Sequence, residues 1–170
     1  FISEHLEQTH DTAIFGKWHL GMYRNASTPW RRGFHKTEGY LQGCGSAWTH
    51  ESSCCSADTA SRDQEYICPK VKNQKDYRGY DWFADGAVNF EANKTNSGTL
   101  IRDAAVEFIQ NRSQSTRPFF LYLPFQNIHC PYTCEQVYID QYANHSHLTE
   151  AEKVMYGYLS EMDDAVGNVI

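Results

Sequence analysis

Between Pro118 and Pro124 the chain reads Phe119-Phe-Leu-Tyr-Leu123, five apolar residues with no polar alternation. A run this short and this apolar is the kind of strand that is covered on both faces in a parallel sheet. Ala13-Ile14-Phe15 reads as a second buried strand, following a turn at Thr9 to Thr12. Between the two lies Thr99 to Arg112, where Leu100, Ile101, Ala104, Ala105, Phe108 and Ile109 form one helical stripe. A last helix opens with the capping box Thr149-Glu-Ala-Glu152, and its stripe of Val154, Tyr158, Met162, Val166 and Val169 is expected to face the core. Strand, helix, strand, helix is an α/β layout.

The remaining stretches are less regular. Ile2 and Leu6 sit at helical spacing. Met22 to Gly45 is glycine-rich and irregular, and Cys44 to Cys68 reads as a long surface loop pinned by disulfides. Tyr80 to Phe83 reads as a short strand, and Asn93 to Gly98 as a turn.

A chain of 170 residues suits one domain with a real core. Its net charge of −6 and its lack of a Lys/Arg-rich run exclude nucleic acid and anionic membrane as general partners. No apolar run approaches the roughly 20 residues that span a bilayer. Four Asn-x-Ser/Thr sequons, at Asn25, Asn93, Asn111 and Asn144, point to the secretory pathway. So do the six cysteines, Cys44, Cys54, Cys55, Cys68, Cys130 and Cys134, which lack the paired spacing of zinc modules and read as disulfide candidates. Cys130 and Cys134 are near enough for a local bridge, and one of Cys54 and Cys55 for a bridge to Cys68. A first residue other than methionine, with no signal peptide, reads as a piece of a longer precursor.

In open α/β sheets, ligands bind beyond the carboxyl ends of the strands. Two such ends carry reactive groups here. Ala13-Ile-Phe15 runs into Gly16, whose missing Cβ allows close backbone approach, and then into Lys17 and His19, which share a face if the extended backbone continues. The second apolar strand leads to His129. Lysine and histidine from two strands make an anion site suited to sulfuryl or phosphoryl transfer, the lysine neutralising charge and a histidine protonating the leaving oxygen. The acidic pair Asp163-Asp164 diverges by about 100° around a helix and reads as one solvated acid and one local partner, not as metal ligands.

The stretch Gly16-Lys-Trp-His-Leu-Gly21 resembles a signature of the sulfatases. The likeness continues through Met22-Tyr-Arg24, Pro29-Trp-Arg-Arg-Gly-Phe34, Gly39-Tyr-Leu41, Pro118 to Leu123, Gln126 with His129-x-Pro131, and Met162 to Val169. In order and content these segments are similar to the arylsulfatase B, or N-acetylgalactosamine-4-sulfatase, branch. The resemblance implies an alkaline-phosphatase-like fold, with a mixed, largely parallel sheet flanked by helices. It implies hydrolysis of sulfate esters, of a sulfated small molecule or a glycosaminoglycan, in the lysosome or outside the cell. It also implies a formylglycine, made from a cysteine, working beside calcium. By motif, Lys17 would contact the sulfate and the formylglycine, and His19 would hold a formylglycine hydroxyl and help eliminate sulfate. His129 would assist the leaving oxygen, and Thr49 falls where relatives place a hydroxyl near the sulfate.

The formylglycine motif, the aspartate and asparagine residues that hold calcium, and a second active-site lysine have no counterpart in residues 1–170. The chain is thus expected to be the central part of a sulfatase catalytic domain, inactive by itself, with apolar strand edges that make it poorly soluble alone. Two alternatives stay open: a catalytically inactive relative that binds sulfated glycans, and a phosphatase-type relative, against which the Gly16 to His19 signature argues.

Overall fold

In the computed structural model, residues 1–52, 79–112 and 114–170 are described. Cys54, Cys55 and Cys68, with most of the predicted disulfide-pinned loop, lie outside them. Short helix α1 (Ile2–Leu6) precedes strand β1 (Asp11–Lys17), and β2 (Lys36–Tyr40) follows. Next come the two-residue strands β3 (Glu51–Ser52), β4 (Gly79–Tyr80), β5 (Phe83–Ala84) and β6 (Ala87–Val88). Helix α2 (Ser97–Gln110), strand β7 (Phe119–Tyr122), and helices α3 (Gln136–Asp140) and α4 (Glu150–Val169) complete the order.

The main sheet runs β6-β5-β2-β1-β7. Strand β1 is parallel to both neighbours, with Lys17 opposite Tyr40 on β2 and Ile14 opposite Tyr122 on β7. Strands β5 and β6 add an antiparallel edge, and β3 pairs with β4 in a separate ribbon. This is the α/β layout read from the residues and the mixed, largely parallel sheet flanked by helices that the family resemblance implies.

Strand β1 is central because it is apolar on both faces. Ala13 and Phe15 join Ile101, Ala105 and Phe108 of α2 in one core, together with Tyr40, Trp82 and Ala92. Ile14 points the other way, into a second core with Trp18, Phe34 and Leu41. Each large apolar side chain so buried contributes about 1.5–3 kcal/mol. Helix α2 begins two residues before the predicted Thr99, because Asn96 caps it: its Oδ1 accepts from the backbone N–H of Gly98 at 2.7 Å and of Thr99 at 3.4 Å.

Two expectations about which faces are buried are corrected. Strand β7 is not covered on both faces among the described residues: it lies at the sheet edge, and Phe119 and Tyr122 remain 44% and 46% exposed. On α4 the capping box forms as read, but Val166 faces solvent and Glu161 faces inward, beside Tyr158 and Ala165. The reason is the helical period. Steps of four residues advance by about 400°, so a stripe read through 154, 158, 162 and 166 drifts about 40° per step, whereas 158, 161 and 165 stay on one face.

All four sequon asparagines are exposed. Cys44 is in a disulfide. Cys130 and Cys134 are not bridged to one another, contrary to the local loop expected. Cys134 is buried against α4 where Gly157 leaves room for it, with its sulfur 3.9 Å from the Val154 carbonyl. Burial, then the nearby carboxylates of Glu161 and Glu135, push its thiol up to about 12. Cys134 is therefore expected to resist iodoacetamide at pH 8.5 in the native protein and to react on unfolding, since only the thiolate attacks. Mass spectrometry showing native alkylation at Cys134 would contradict this burial.

Candidate active site

The site begins with a glycine. Gly16 sits at φ +126°, and any Cβ there would collide with the Pro124 carbonyl just beyond β7. Gly39 on β2 lies against Gly16 in the same way. The two glycines let three parallel strands draw together at their carboxyl ends, and Lys17 N–H then donates to the Pro124 carbonyl at 2.8 Å. Beyond β1 the chain stays in line with β2, as Trp18 N–H donates to Tyr40 O and His19 N–H to Leu41 O. The alternation that would carry Lys17 and His19 onto one face stops there, because His19 adopts φ +50° and the backbone turns.

Lys17 is half-buried, and among the described residues its Nζ has no hydrogen bond or ion pair. A cation without a carboxylate partner at a strand end is suited to an incoming anion. Trp18, buried between them, donates from Nε1 to the carbonyls of Gly21 and Ser27 and so fixes the loop that leaves the site. His19 is exposed, and its ring lies over Gly43, where a Cβ would come within 2.8 Å of Nε2. Gly43 is in turn placed by Asp81: its two carboxylate oxygens accept the backbone N–H groups of Leu41 and Gln42, each at 2.9 Å. Burial pushes the Asp81 carboxyl up, opposed by those two donors.

From the second strand end, Gln126 reaches Gly45 O with Nε2 at 2.5 Å and accepts Ser97 Oγ at 3.1 Å. His129 follows, exposed. Its Nδ1 is 2.7 Å from the Cys130 carbonyl, which can only accept, so Nδ1 carries a proton and Nε2 is the nitrogen left to exchange one. The parallel pairing of β1 and β7 thus brings Lys17, His19 and the His129 loop to one edge of the sheet. Thr49 is exposed in a turn whose backbone is held by Ser46 Oγ. His50 beside it is structural: it is buried against Trp82, with Nε2 donating to Ala92 O at 3.0 Å, and burial lowers its pKa. Asp164 accepts from the Tyr138 hydroxyl at 2.8 Å and Asp163 is exposed, the local partner and solvated acid of the sequence reading.

Sequence reasoning missed Gly43, Asp81, Asn127 and Glu161. Asp81 was visible as an acid within the aromatic run Tyr80-Asp-Trp-Phe83. The others carry no local signal, since their partners are distant in sequence. Among the described residues no group of three or more His, Cys, Asp or Glu side chains is arranged to hold a metal ion.

The chain is 27% identical to mouse (Mus musculus) arylsulfatase J over 163 residues, spanning 96% of this chain and 24% of that protein. It is 25% identical to dog (Canis lupus familiaris) arylsulfatase G over 178 residues, 99% of this chain and 30% of the relative. Pig (Sus scrofa) N-acetylgalactosamine-6-sulfatase is 25% identical over 162 residues, covering 92% and 26%. The chain therefore spans about a quarter to a third of the length of these curated relatives. Among solved structures, the fold is similar to that of Ps i-CgsB in complex with k-i-k-neocarrahexaose (TM-score 0.76, 23% identity, 99% of this chain and 35% of that one). It is also similar to the PsFucS1 sulfatase from Pseudoalteromonas sp. (TM-score 0.55, 19% identity, 98% and 34%). The Sulfatase family model matches residues 5–170, so the chain belongs to the sulfatase family.

Proposed function

We propose that the full-length protein hydrolyses sulfate esters of sulfated glycosaminoglycans or related sugars, and that residues 1–170 are the central part of its catalytic domain. The observation that carries this reading is the Lys17 cation, unpaired among the described residues and held one hydrogen bond from the β7 exit, on the edge where His19 and His129 emerge. The relatives' names, arylsulfatase and N-acetylgalactosamine-6-sulfatase, support the substrate class.

The formylglycine and calcium implied by the family resemblance would supply the attacking oxygen and charge neutralisation at sulfur. Among the described residues no group of three or more His, Cys, Asp or Glu side chains is arranged as a calcium site, and on the family resemblance its ligands would come from other segments. What this chain supplies fits a sulfate. Lys17 offsets the charge on the sulfuryl oxygens, and more so as charge builds in the transition state. His19, seated over Gly43, would hold a hydroxyl of a formylglycine. His129, with Nδ1–H fixed on the Cys130 carbonyl, directs Nε2 outward to protonate the leaving alkoxide oxygen. Thr49 offers a hydroxyl on the neighbouring turn. The exposed sequons and the Cys44 disulfide support passage through the secretory pathway to the lysosome or the extracellular space.

The test is direct. Full-length protein secreted from eukaryotic cells should release sulfate from an aryl sulfate and from a sulfated galactosamine oligosaccharide. Retention of the oligosaccharide without sulfate release would overturn the enzyme reading in favour of a glycan-binding one.

A further inference from the structure

Glu161 is a carboxylate in the middle of α4, 4% exposed and with no cationic partner among the described residues. Isolated buried charge is costly unless hydrogen bonds replace its water. Three N–H donors do so. Oε1 accepts from Asn96 Nδ2 at 3.2 Å and from the backbone N–H of Glu135 at 3.1 Å. Oε2 accepts from Asn127 Nδ2 at 3.2 Å, and the same amide also donates to the Tyr158 carbonyl at 2.9 Å.

The placement of these donors is informative. Asn127 and Glu135 flank residues 128–134 of the β7–α3 loop, and His129 lies between them. Asn96 is the cap of α2, so the carboxylate also ties that loop to the helix packed on β1. One side chain therefore fixes both ends of the segment that presents His129, and it does so from an element that carries none of the proposed chemistry. A packing role alone would be served at that inward position by an apolar residue, as it is at Ala165.

We propose that Glu161 is a positioning residue, whose carboxylate clamps the loop 127–135 so that the His129 imidazole is held at the active edge. The catalytic consequence rests on the sulfatase reading; the clamp itself does not. Groups facing Glu161 from the neighbouring elements are Cys134 and Glu135 of the loop, Tyr138 of α3, and Tyr158 of α4 itself. Burial, with Glu135 adding to it, raises the Glu161 carboxyl, while the Glu135 N–H, Asn127 and Asn96 hold it down. The clamp is thus strongest in the ionised form, which accepts from all three donors.

The experiment uses the full-length protein with E161Q, N127S and the double variant. Glutamine must turn an NH2 toward one of the three donors, so hydrogen exchange of peptides spanning 128–134 should rise in E161Q while β1 and α2 keep their protection. For aryl sulfate hydrolysis, kcat should fall roughly ten- to a hundredfold with KM within about threefold, the pattern of a misplaced catalytic group. N127S should lose less, and the double variant no more than E161Q, because both substitutions open the same clamp. If E161Q fails to fold, N127S alone carries the test, since it leaves two of the three donors. Unchanged exchange in 128–134, or an unchanged kcat with only a lowered melting temperature, would overturn the proposal. A wild-type protein that hydrolyses nothing would instead overturn the sulfatase reading, and the exchange measurement would still decide the clamp.

Discussion

Replacing Gly16 by alanine in the full-length protein is expected to destabilise it by about 3–5 kcal/mol, read from the denaturation midpoint. Two effects add at this position. The residue sits at φ +126°, where an L side chain is strained, and its Cβ would enter the Pro124 carbonyl. Relief requires β7 to move away from β1, which breaks the Lys17 N–H to Pro124 O hydrogen bond and parts the two strand ends that make the site. Activity in the surviving folded fraction is therefore expected to fall as well. A variant as stable and as active as the wild type would show that the strands do not need this close approach.

Lys17→Ala should have the largest effect on chemistry, a loss of about 10²–10³ in kcat for sulfate ester hydrolysis with little change in stability. The side chain is half-buried and has no partner to abandon among the described residues, so removing it leaves no orphaned charge. Lys17→Arg should not restore full activity, since a planar fork does not occupy the place of a compact ammonium. His129→Ala should lose most on substrates with poor leaving groups and least on activated aryl sulfates, because protonating the leaving oxygen matters less when that oxygen is already acidic. Equal losses on both substrate types would assign His129 a role other than general acid.

Much of this site was legible in the sequence because its signals are local. Gly16, Lys17 and His19 are contiguous with the apolar strand that places them, and His129 follows its own strand by a few residues. A continuous apolar run identified β1 and period-3.6 patterns identified α2 and α4 as helices, since those signals lie within each element. What failed did so where a partner far along the chain decides the outcome. Strand β7 has the composition of a covered strand, yet its exposure depends on which segments lie beside it. The Cys130 and Cys134 spacing allowed a bridge, but the Cys134 sulfur lies against Gly157 of α4, near the Val154 carbonyl.

The sequence by itself determined the α/β order of elements, the two strand ends that carry reactive groups, and the sulfatase family to which the chain belongs. Tertiary structure alone decided how those ends meet. Only the parallel register sets the Pro124 carbonyl against Gly16. Only the packing of α4 under the β7–α3 loop turns Glu161 from a break in an apolar stripe into the point where three segments are joined. The physical reason is that hydrogen-bond partners such as Asp81 with Leu41, or Glu161 with Asn96, are separated by 40 and 65 residues, so no periodicity along the chain can announce them.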